Sequence, residues 1–216
     1  MRALPAAIAR AEPALVRPWD VRDVYAKPDK ELRDLARQGA LLRLAHGYYA
    51  VIPESERGGR WRPTIEAAGL AIAQVHYGMD NAVAMGPTAA RLLGAIPRAL
   101  GVATIATPKQ RPVLRTEVGR VRFVTRKVDQ LDVQRVRTEL GPGWVTTPEQ
   151  TLLDVADRPT LGGMTTADAA EALAELMQRV DIGLVRDLAG RQRKRAARTR
   201  IEHAVGGQAW EQVLRV

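Results

Sequence analysis

The chain has 216 residues, of which 46% are hydrophobic and 26% are charged, proportions that are ordinary for a globular protein. It has no cysteine, which excludes disulfides, thiolate metal sites and cysteine nucleophiles. No apolar run approaches the roughly 20 residues that a membrane-spanning helix needs, so we expect no membrane binding. The absence of cysteine fits a reducing cytoplasm, where we expect the protein to act.

The net charge of +9 is unevenly distributed along the chain. Lys and Arg exceed Asp and Glu by four in residues 1–62, by six in 107–137 and by five in 186–203. Residues 138–185 instead carry an excess of six acidic residues. Basic segments favour an anionic partner such as nucleic acid, and a separate acidic surface favours a second partner. The alternative is that a high arginine content simply raises the charge of every segment.

The first elements are short. The pattern predicts a helix over residues 4–11, a strand over 15–16 and a second helix over 19–25. Pro18 precedes this second helix at a position that suits the start of a helix. Trp19 is expected to anchor the core of this small region.

The third predicted helix covers residues 29–38. Asp29 can cap its N-terminus, and Gly39 lies just past its end, where a left-handed residue is favourable. Leu32 and Leu35 lie on its apolar face. Its opposite face is basic and presents Lys30, Arg33 and Arg37. An apolar back and a basic front are what a helix that reads the DNA major groove requires.

Two apolar runs around the loop 45–47 then predict a hairpin over residues 41–52. A helix followed directly by a hairpin is the order of the reading helix and the wing in a winged helix-turn-helix, which we assign to residues 1–55. In this interpretation Arg43 and His46 lie in the wing and contact phosphate or the minor groove.

Residues 56–63 are rich in Gly, Pro and charge, which predicts a linker. The arginines around Trp61 could touch a phosphate backbone, although a solvated linker is the simpler interpretation. Thr64 is the predicted cap of a helix that runs to about Gly78, and another helix is predicted over 86–95.

A strand over residues 102–107 and a hairpin over 113–126 predict a small sheet. In the second strand of the hairpin, Val121 and Phe123 face one way. The opposite face is basic and presents Arg120, Arg122 and Arg126. This face is either a candidate contact with a phosphate backbone or a charged edge that discourages aggregation, and the sequence leaves both open.

Residues 133–140 have an ambiguous pattern, whereas 141–143 predict a turn and 144–145 a short strand. A helix then begins at a predicted capping box that pairs Thr147 with Gln150.

The next predicted helix, over residues 166–180, is capped by Thr165 or Thr166 and is amphipathic. It turns Glu171 and Glu175 outwards within the acidic segment. These carboxylates are the candidate surface for a basic protein partner. The alternative is a solvated helix face, where exposed charges contribute little.

The last strongly patterned segment is basic. A helix over residues 181–189 is predicted to end at Gly190, and a basic helix is predicted over 191–200. Arg193 and Lys194 in this segment are candidate contacts with a phosphate backbone.

Several runs together resemble the AbiEi antitoxin family. The run RDLARQGALLRLAHGYYAVIP at 33–53 is similar to the end of the reading helix and the wing in that family. The run TTPEQTLLDVADRP at 146–159 is similar to a segment of the family's C-terminal domain. The preceding order, MGPTAARLLG at 85–94 and then VATIATPKQRP at 102–112, also matches. The resemblance covers roughly residues 1–190.

This resemblance implies a function in two parts. Members of the family repress their own operon by binding inverted repeats in operator DNA. Their C-terminal domain is needed to neutralise a nucleotidyltransferase-like toxin encoded by a neighbouring gene. We expect a monomer or a weak dimer, with cooperative binding to double-stranded DNA.

Signatures of enzymes are absent from the sequence. The histidines carry no metal-ligand spacing, and P-loop, GxGxxG, GxSxG and HExxH motifs are missing. Asp154 and Asp157 are expected to serve as helix-end and ion-pair groups. We therefore expect no enzymatic activity, catalytic residue, metal site or cofactor.

The predicted fold class is α+β. A winged helix-turn-helix at 1–55 is followed by a linker at 56–63. A mixed α/β domain with a small sheet and several helices occupies 64–216. An alternative function is a protein–protein adaptor, in which a degenerate winged helix no longer binds DNA and the acidic region 138–185 engages a basic partner.

Overall fold

The computed structural model of the protein describes residues 4–214, which form a mixed α+β fold. The α-helices in this part of the chain are α1 (Ala6–Ala9), α2 (Pro28–Arg37), α3 (Ile65–Tyr77), α4 (Pro87–Leu92), α5 (Pro148–Asp157), α6 (Thr166–Met177), α7 (Ile182–Arg191), α8 (Arg195–Val205) and α9 (Trp210–Val213). The strands are β1 (Leu15–Val16), β2 (Leu41–Ala45), β3 (Tyr48–Val51), β4 (Val83–Ala84), β5 (Val102–Thr107), β6 (Leu114–Thr116), β7 (Gly119–Thr125), β8 (Val133–Thr138) and β9 (Gly141–Thr146). None of the helices between residues 4 and 214 is long and apolar enough to cross a membrane.

The first sheet has three antiparallel strands in the order β1-β3-β2, and α2 leads into it. Pro28 starts α2, so Lys27 is the residue before the helix, and the prediction that Asp29 caps it is wrong. Asp29 instead lies in the first turn, where its charge is favourable near the helix N-terminus. At the other end Gly39, with φ of +72°, confirms the predicted helix stop.

The helix predicted over residues 19–25 is wrong. Only a 3₁₀ turn, Pro18–Val21, forms there, held by Asp20, whose carboxylate accepts the backbone N–H of Arg17 at 2.9 Å. Trp19 is 68% exposed and therefore does not anchor the core; the guanidinium of Arg22 stacks over its ring, 4.0 Å from the centroid.

The second sheet has six strands in the order β6-β7-β5-β4-β9-β8. Its centre is the antiparallel pair β4–β5, and each central strand has a parallel outer neighbour, β9 beside β4 and β7 beside β5. A hairpin closes each edge, β8–β9 on one side and β6–β7 on the other. The sheet is therefore approximately two-fold symmetric in its strand order.

The two edge hairpins turn on nearly the same sequence, RTEVG at 115–119 and RTELG at 137–141. In the first turn the Thr hydroxyl donates to the Gly119 carbonyl oxygen at 2.9 Å, and in the second it donates to that of Gly141 at 2.9 Å. Both turns also hydrogen-bond to the N-terminal region. The Glu117 N–H donates to the Leu44 carbonyl oxygen at 2.8 Å. The Ala14 N–H donates to the Leu140 carbonyl oxygen at 2.7 Å.

The turn predicted at residues 141–143 is wrong, because these residues begin β9. The glycine at 143 is required by packing: a Cβ there would lie 2.4 Å from Leu70 Cδ2 and 2.8 Å from Gln74 Nε2 on α3. The segment with the ambiguous pattern, 133–140, forms β8 and the two-residue turn after it.

Helix α3 covers one face of the six-stranded sheet and also packs against the three-stranded sheet. Its predicted cap is confirmed, since the Thr64 hydroxyl accepts the Ala67 N–H at 3.3 Å. One buried apolar cluster contains residues of α3 and of β5, together with Leu15, Leu44 and Tyr48 of the N-terminal sheet. The two sheets therefore share a core through this helix.

Helices α5 to α9 form a second apolar cluster around buried leucines of α5 and α6. Thr147 caps α5 as predicted, accepting the Gln150 N–H at 3.3 Å. The reciprocal half of the predicted capping box is absent among the described contacts, because the Gln150 side chain hydrogen-bonds to Asp154 at 3.1 Å. Thr165 caps α6, which ends at Met177.

The continuous basic helix predicted over 191–200 is also wrong. Helix α7 runs past Gly190 to Arg191, and the chain then turns at Arg193, whose φ is +55°. The Lys194 N–H donates to the Ala189 carbonyl oxygen at 2.8 Å, which is the closing bond of a Schellman motif. A separate helix, α8, begins at Arg195.

Candidate nucleic-acid interface

A groove of about 390 Å³ lies between α2 and the strands that follow it. Its polar lining is dominated by guanidinium groups, from Arg33, Arg37, Arg43 and Arg62. Glu117, from the turn between β6 and β7, is its acidic member. The groove is thus formed by α2, β2, the segment before α3 and the six-stranded sheet together.

Helix α2 contributes two of these arginines and a neighbouring lysine. Arg33 Nε donates to the Asp29 carbonyl oxygen at 3.1 Å, which orients the guanidinium without neutralising it. Arg37 pairs with Asp34 at 2.8 Å, and Lys30 approaches the same carboxylate at 3.5 Å. Both cations are mostly exposed, at 77% and 64%, so these pairs are weak and can exchange for a phosphate.

The β2–β3 hairpin presents the other two predicted contacts. Arg43 Nη2 lies within hydrogen-bonding distance of His46 Nδ1, at 3.3 Å. Gly47 has φ of +78°, which the tight turn requires. The turn contains only residues 46–47, because Ala45 is still part of β2.

The basic face predicted on β7 is divided by the structure. Arg120 and Arg122 are exposed and have no ion pair within residues 4–214, and Arg115 lies opposite Arg120 across the β6–β7 pairing. Arg126 points inwards, since its side chain is 15% exposed and donates to Asp154 at 3.0 Å.

Asp154 is the centre of a buried polar network. Burial raises the pKa of its carboxyl group, and the neighbouring guanidinium of Arg126 opposes the rise. Arg126 also donates to Gln192 at 2.9 Å, which connects the end of β7 with α5 and the end of α7. Lys194 pairs with Asp157 beside this network and is 18% exposed, whereas Arg193 is exposed at the surface. Arg126 and Lys194 are therefore occupied by internal carboxylates.

The two acidic candidates on α6 also differ. Glu171 is exposed and has no ion pair in the part of the chain that the structure describes. Glu175 pairs with Arg179, which also donates to the Leu93 carbonyl oxygen at 3.0 Å. Glu171 is thus the carboxylate on this face that is available to another molecule.

Sequence reasoning missed Glu117 and assigned Arg62 to a solvated linker. The signal that could have found Glu117 is the repeated RTE(V/L)G sequence, which marks two equivalent turns. Within residues 4–214, no group of three or more His, Asp or Glu side chains could hold a metal ion.

A family model described as the AbiEi antitoxin C-terminal domain matches residues 81–203. The match begins just before β4 and ends within α8, so it includes the whole six-stranded sheet and α4 to α7. No curated protein matches the chain.

Proposed function

Because the chain belongs to the AbiEi antitoxin family, we propose that it is an antitoxin that also binds DNA and represses its own operon. Its partner would be a nucleotidyltransferase-like toxin encoded by a neighbouring gene. In this proposal residues 1–55 form a winged helix-turn-helix, 56–63 a linker and 64–216 the antitoxin domain, and the protein acts in the cytoplasm.

The observation that carries DNA binding is the arginine-lined groove beside α2. In the proposal α2 is the reading helix and enters the major groove, while the β2–β3 hairpin is the wing. Lys30, Arg33 and Arg37 face the DNA from the helix. Arg43 and His46 contact phosphate or the minor groove from the wing.

Phosphate contact follows from the charges of this groove. Duplex DNA offers a row of phosphates, and a guanidinium can donate two parallel hydrogen bonds to one phosphate. Arg62 would join these contacts from the segment before α3. Operator inverted repeats would place two copies of the protein on one DNA fragment, so a monomer or weak dimer could bind cooperatively.

The competing function is an adaptor without DNA binding. The observation that favours it is that Asp34 pairs with both Lys30 and Arg37 on α2 and so partly neutralises the basic face of this helix.

A salt series on the full chain separates the two functions. We would select duplexes from a randomised pool and measure affinity by fluorescence anisotropy as salt rises.

If the protein is a DNA-binding regulator, the selection should enrich a preferred duplex. The logarithm of its binding constant for that duplex should fall linearly with the logarithm of the salt concentration. The slope should correspond to several neutralised phosphates. If the protein binds no duplex at low salt, DNA binding is refuted and the adaptor function is favoured.

A further inference from the structure

The two hairpin turns of the six-stranded sheet each carry a glutamate at the same position, Glu117 in one and Glu139 in the other. Glu139 has a structural role: its carboxylate accepts the N–H of Thr64 at 3.3 Å and the Thr64 hydroxyl at 3.1 Å, at the start of α3. Glu117 has no such role. Within residues 4–214 its carboxylate has neither an ion pair nor a hydrogen bond.

The turn that carries Glu117 is anchored to β2 and to the core. Its backbone N–H donates to Leu44 on β2, and Val118 packs against the shared core. Gly119 has φ of +141°, and a Cβ there would lie 2.8 Å from the Gly101 carbonyl oxygen. A larger residue at 119 would therefore require Gly101 or Ile65 to shift. The exposed Glu117 side chain is thereby held at the wall of the arginine-lined groove.

A carboxylate is an unfavourable neighbour for DNA phosphates. Among four arginines it lowers the affinity of the groove for any phosphate backbone placed beside it. A carboxylate is also an acceptor without a donor when ionised, and in the major groove it complements the exocyclic amino group of cytosine. The hydrogen bond favours duplexes with cytosine at the matching position, and the repulsion disfavours registers that bring a phosphate beside the carboxylate.

We propose that Glu117, supplied by the antitoxin domain, is a specificity-determining residue of the DNA groove. It accepts a hydrogen bond from a cytosine amino group in the preferred duplex and repels phosphate in other registers. This inference rests on the proposed DNA-binding function, and it makes the groove a composite of both halves of the chain.

The test uses the full chain with Glu117→Ala and Glu117→Gln. The control is Glu211→Gln, which removes the same charge from an exposed glutamate on α9. Anisotropy would compare the duplex that the wild type selects with a scrambled duplex of the same composition. Circular dichroism checks folding, which should be intact because only the exposed side chain changes.

We expect Glu117→Ala to reduce the ratio of the two affinities about tenfold, within the range for one specific base contact. Affinity for the scrambled duplex should rise in both variants. A repeated selection with Glu117→Gln should change the preferred base at one position from cytosine towards adenine, which an amide side chain complements. The control should keep the wild-type ratio.

The outcomes separate the two proposals. If the wild type discriminates between the duplexes and Glu117→Ala does so equally well, the role of Glu117 is refuted while DNA binding stands. If the wild type binds neither duplex, the proposed DNA-binding function fails and this inference fails with it.

Discussion

At the scale of single residues, the arginines of the groove differ in how they are paired. Arg33 has no carboxylate partner within residues 4–214, whereas Arg37 pairs with Asp34. A guanidinium without a carboxylate partner has no ion pair to break when it contacts DNA, whereas a paired one must first give up its partner. The proposal therefore assigns the larger share of base recognition to Arg33.

We predict that Arg33→Ala weakens binding to the selected duplex by about 1–3 kcal/mol and relaxes the sequence preference. Arg186→Ala, which removes an exposed arginine from α7, is the matched control and should change affinity little. Anisotropy at fixed salt measures both. An equal loss on selected and scrambled duplexes would instead assign Arg33 to phosphate contact, and no loss would remove it from the interface.

At the scale of elements, two glycines differ in whether the packing around them leaves room for a side chain. Gly143 lies in β9 directly beneath α3, with no room for a side chain. Gly190 lies in α7, and a Cβ there would have nothing within 4 Å. The first is selected by the packing of a helix on a sheet, and the second is not required by packing at all.

We predict that Gly143→Ala lowers the free energy of unfolding by about 1–3 kcal/mol, the usual cost of overpacking. Gly190→Ala should raise it by about 0.5–1 kcal/mol, because alanine is the better helix former. Urea denaturation monitored by circular dichroism measures both. A Gly143→Ala protein as stable as the wild type would show that α3 can move away from β9.

The elements that the sequence predicted best are those with local signals. Gly39 ends α2 and Thr64 caps α3, since capping depends on a few neighbouring residues. The misses depend on distant contacts. The glycine at 143 was interpreted as a turn signal, but it is present because α3 packs closely on β9 at this position. The break at Arg193 uses a left-handed residue that is not glycine, so its sequence carries no stop signal.

In the candidate site, too, the features with local signals were predictable and those that depend on distant contacts were not. The basic face of α2 follows from helical periodicity, and so its three cations could be named from the sequence. The inward direction of the Arg126 side chain could not be predicted from the sequence, because its partner Asp154 lies 28 positions further along the chain. The repeated RTE(V/L)G sequence marks the turn that carries Glu117, but no local pattern reports the contact of this turn with β2 that places Glu117 at the groove.

At the scale of the whole molecule, a histidine and a tyrosine connect the three-stranded sheet with α3, the helix that covers the six-stranded sheet. His76 on α3 contacts the hydroxyl of Tyr48 on β3, and their rings meet edge to face with centroids 5.5 Å apart. Burial, together with the nearby charges of Arg111 and Arg17, lowers the pKa of His76 to about 4, and Asp20 opposes this shift. The folded protein thus holds this ring neutral where the unfolded chain would protonate it.

Between its ordinary pKa of 6.5 and the lowered value of about 4, the unfolded chain binds more protons at His76 than the folded protein does. Stability should therefore fall as pH drops through this window and be level above it. We predict that His76→Gln flattens this dependence, measured as Tm against pH. His203→Gln, at an exposed position on α8, is the control. A His76→Gln profile as steep as that of the wild type would contradict the assignment.

The charge of the molecule also separates its two proposed activities. The basic groove lies beside α2, whereas the unpaired carboxylate of Glu171 lies on α6, in an acidic segment of the chain. DNA binding does not require an acidic surface, so this segment favours a second, basic partner.

We predict that the full chain with Glu171→Lys and Glu175→Lys loses toxin neutralisation in a growth-rescue assay while its DNA affinity is retained. Glu171 would contribute most, because Glu175 is already paired with Arg179. Charge reversal at Glu211, exposed on α9, is the control for added positive charge. Normal rescue by the folded double variant would show that this face of α6 is only solvated and that the toxin binds elsewhere.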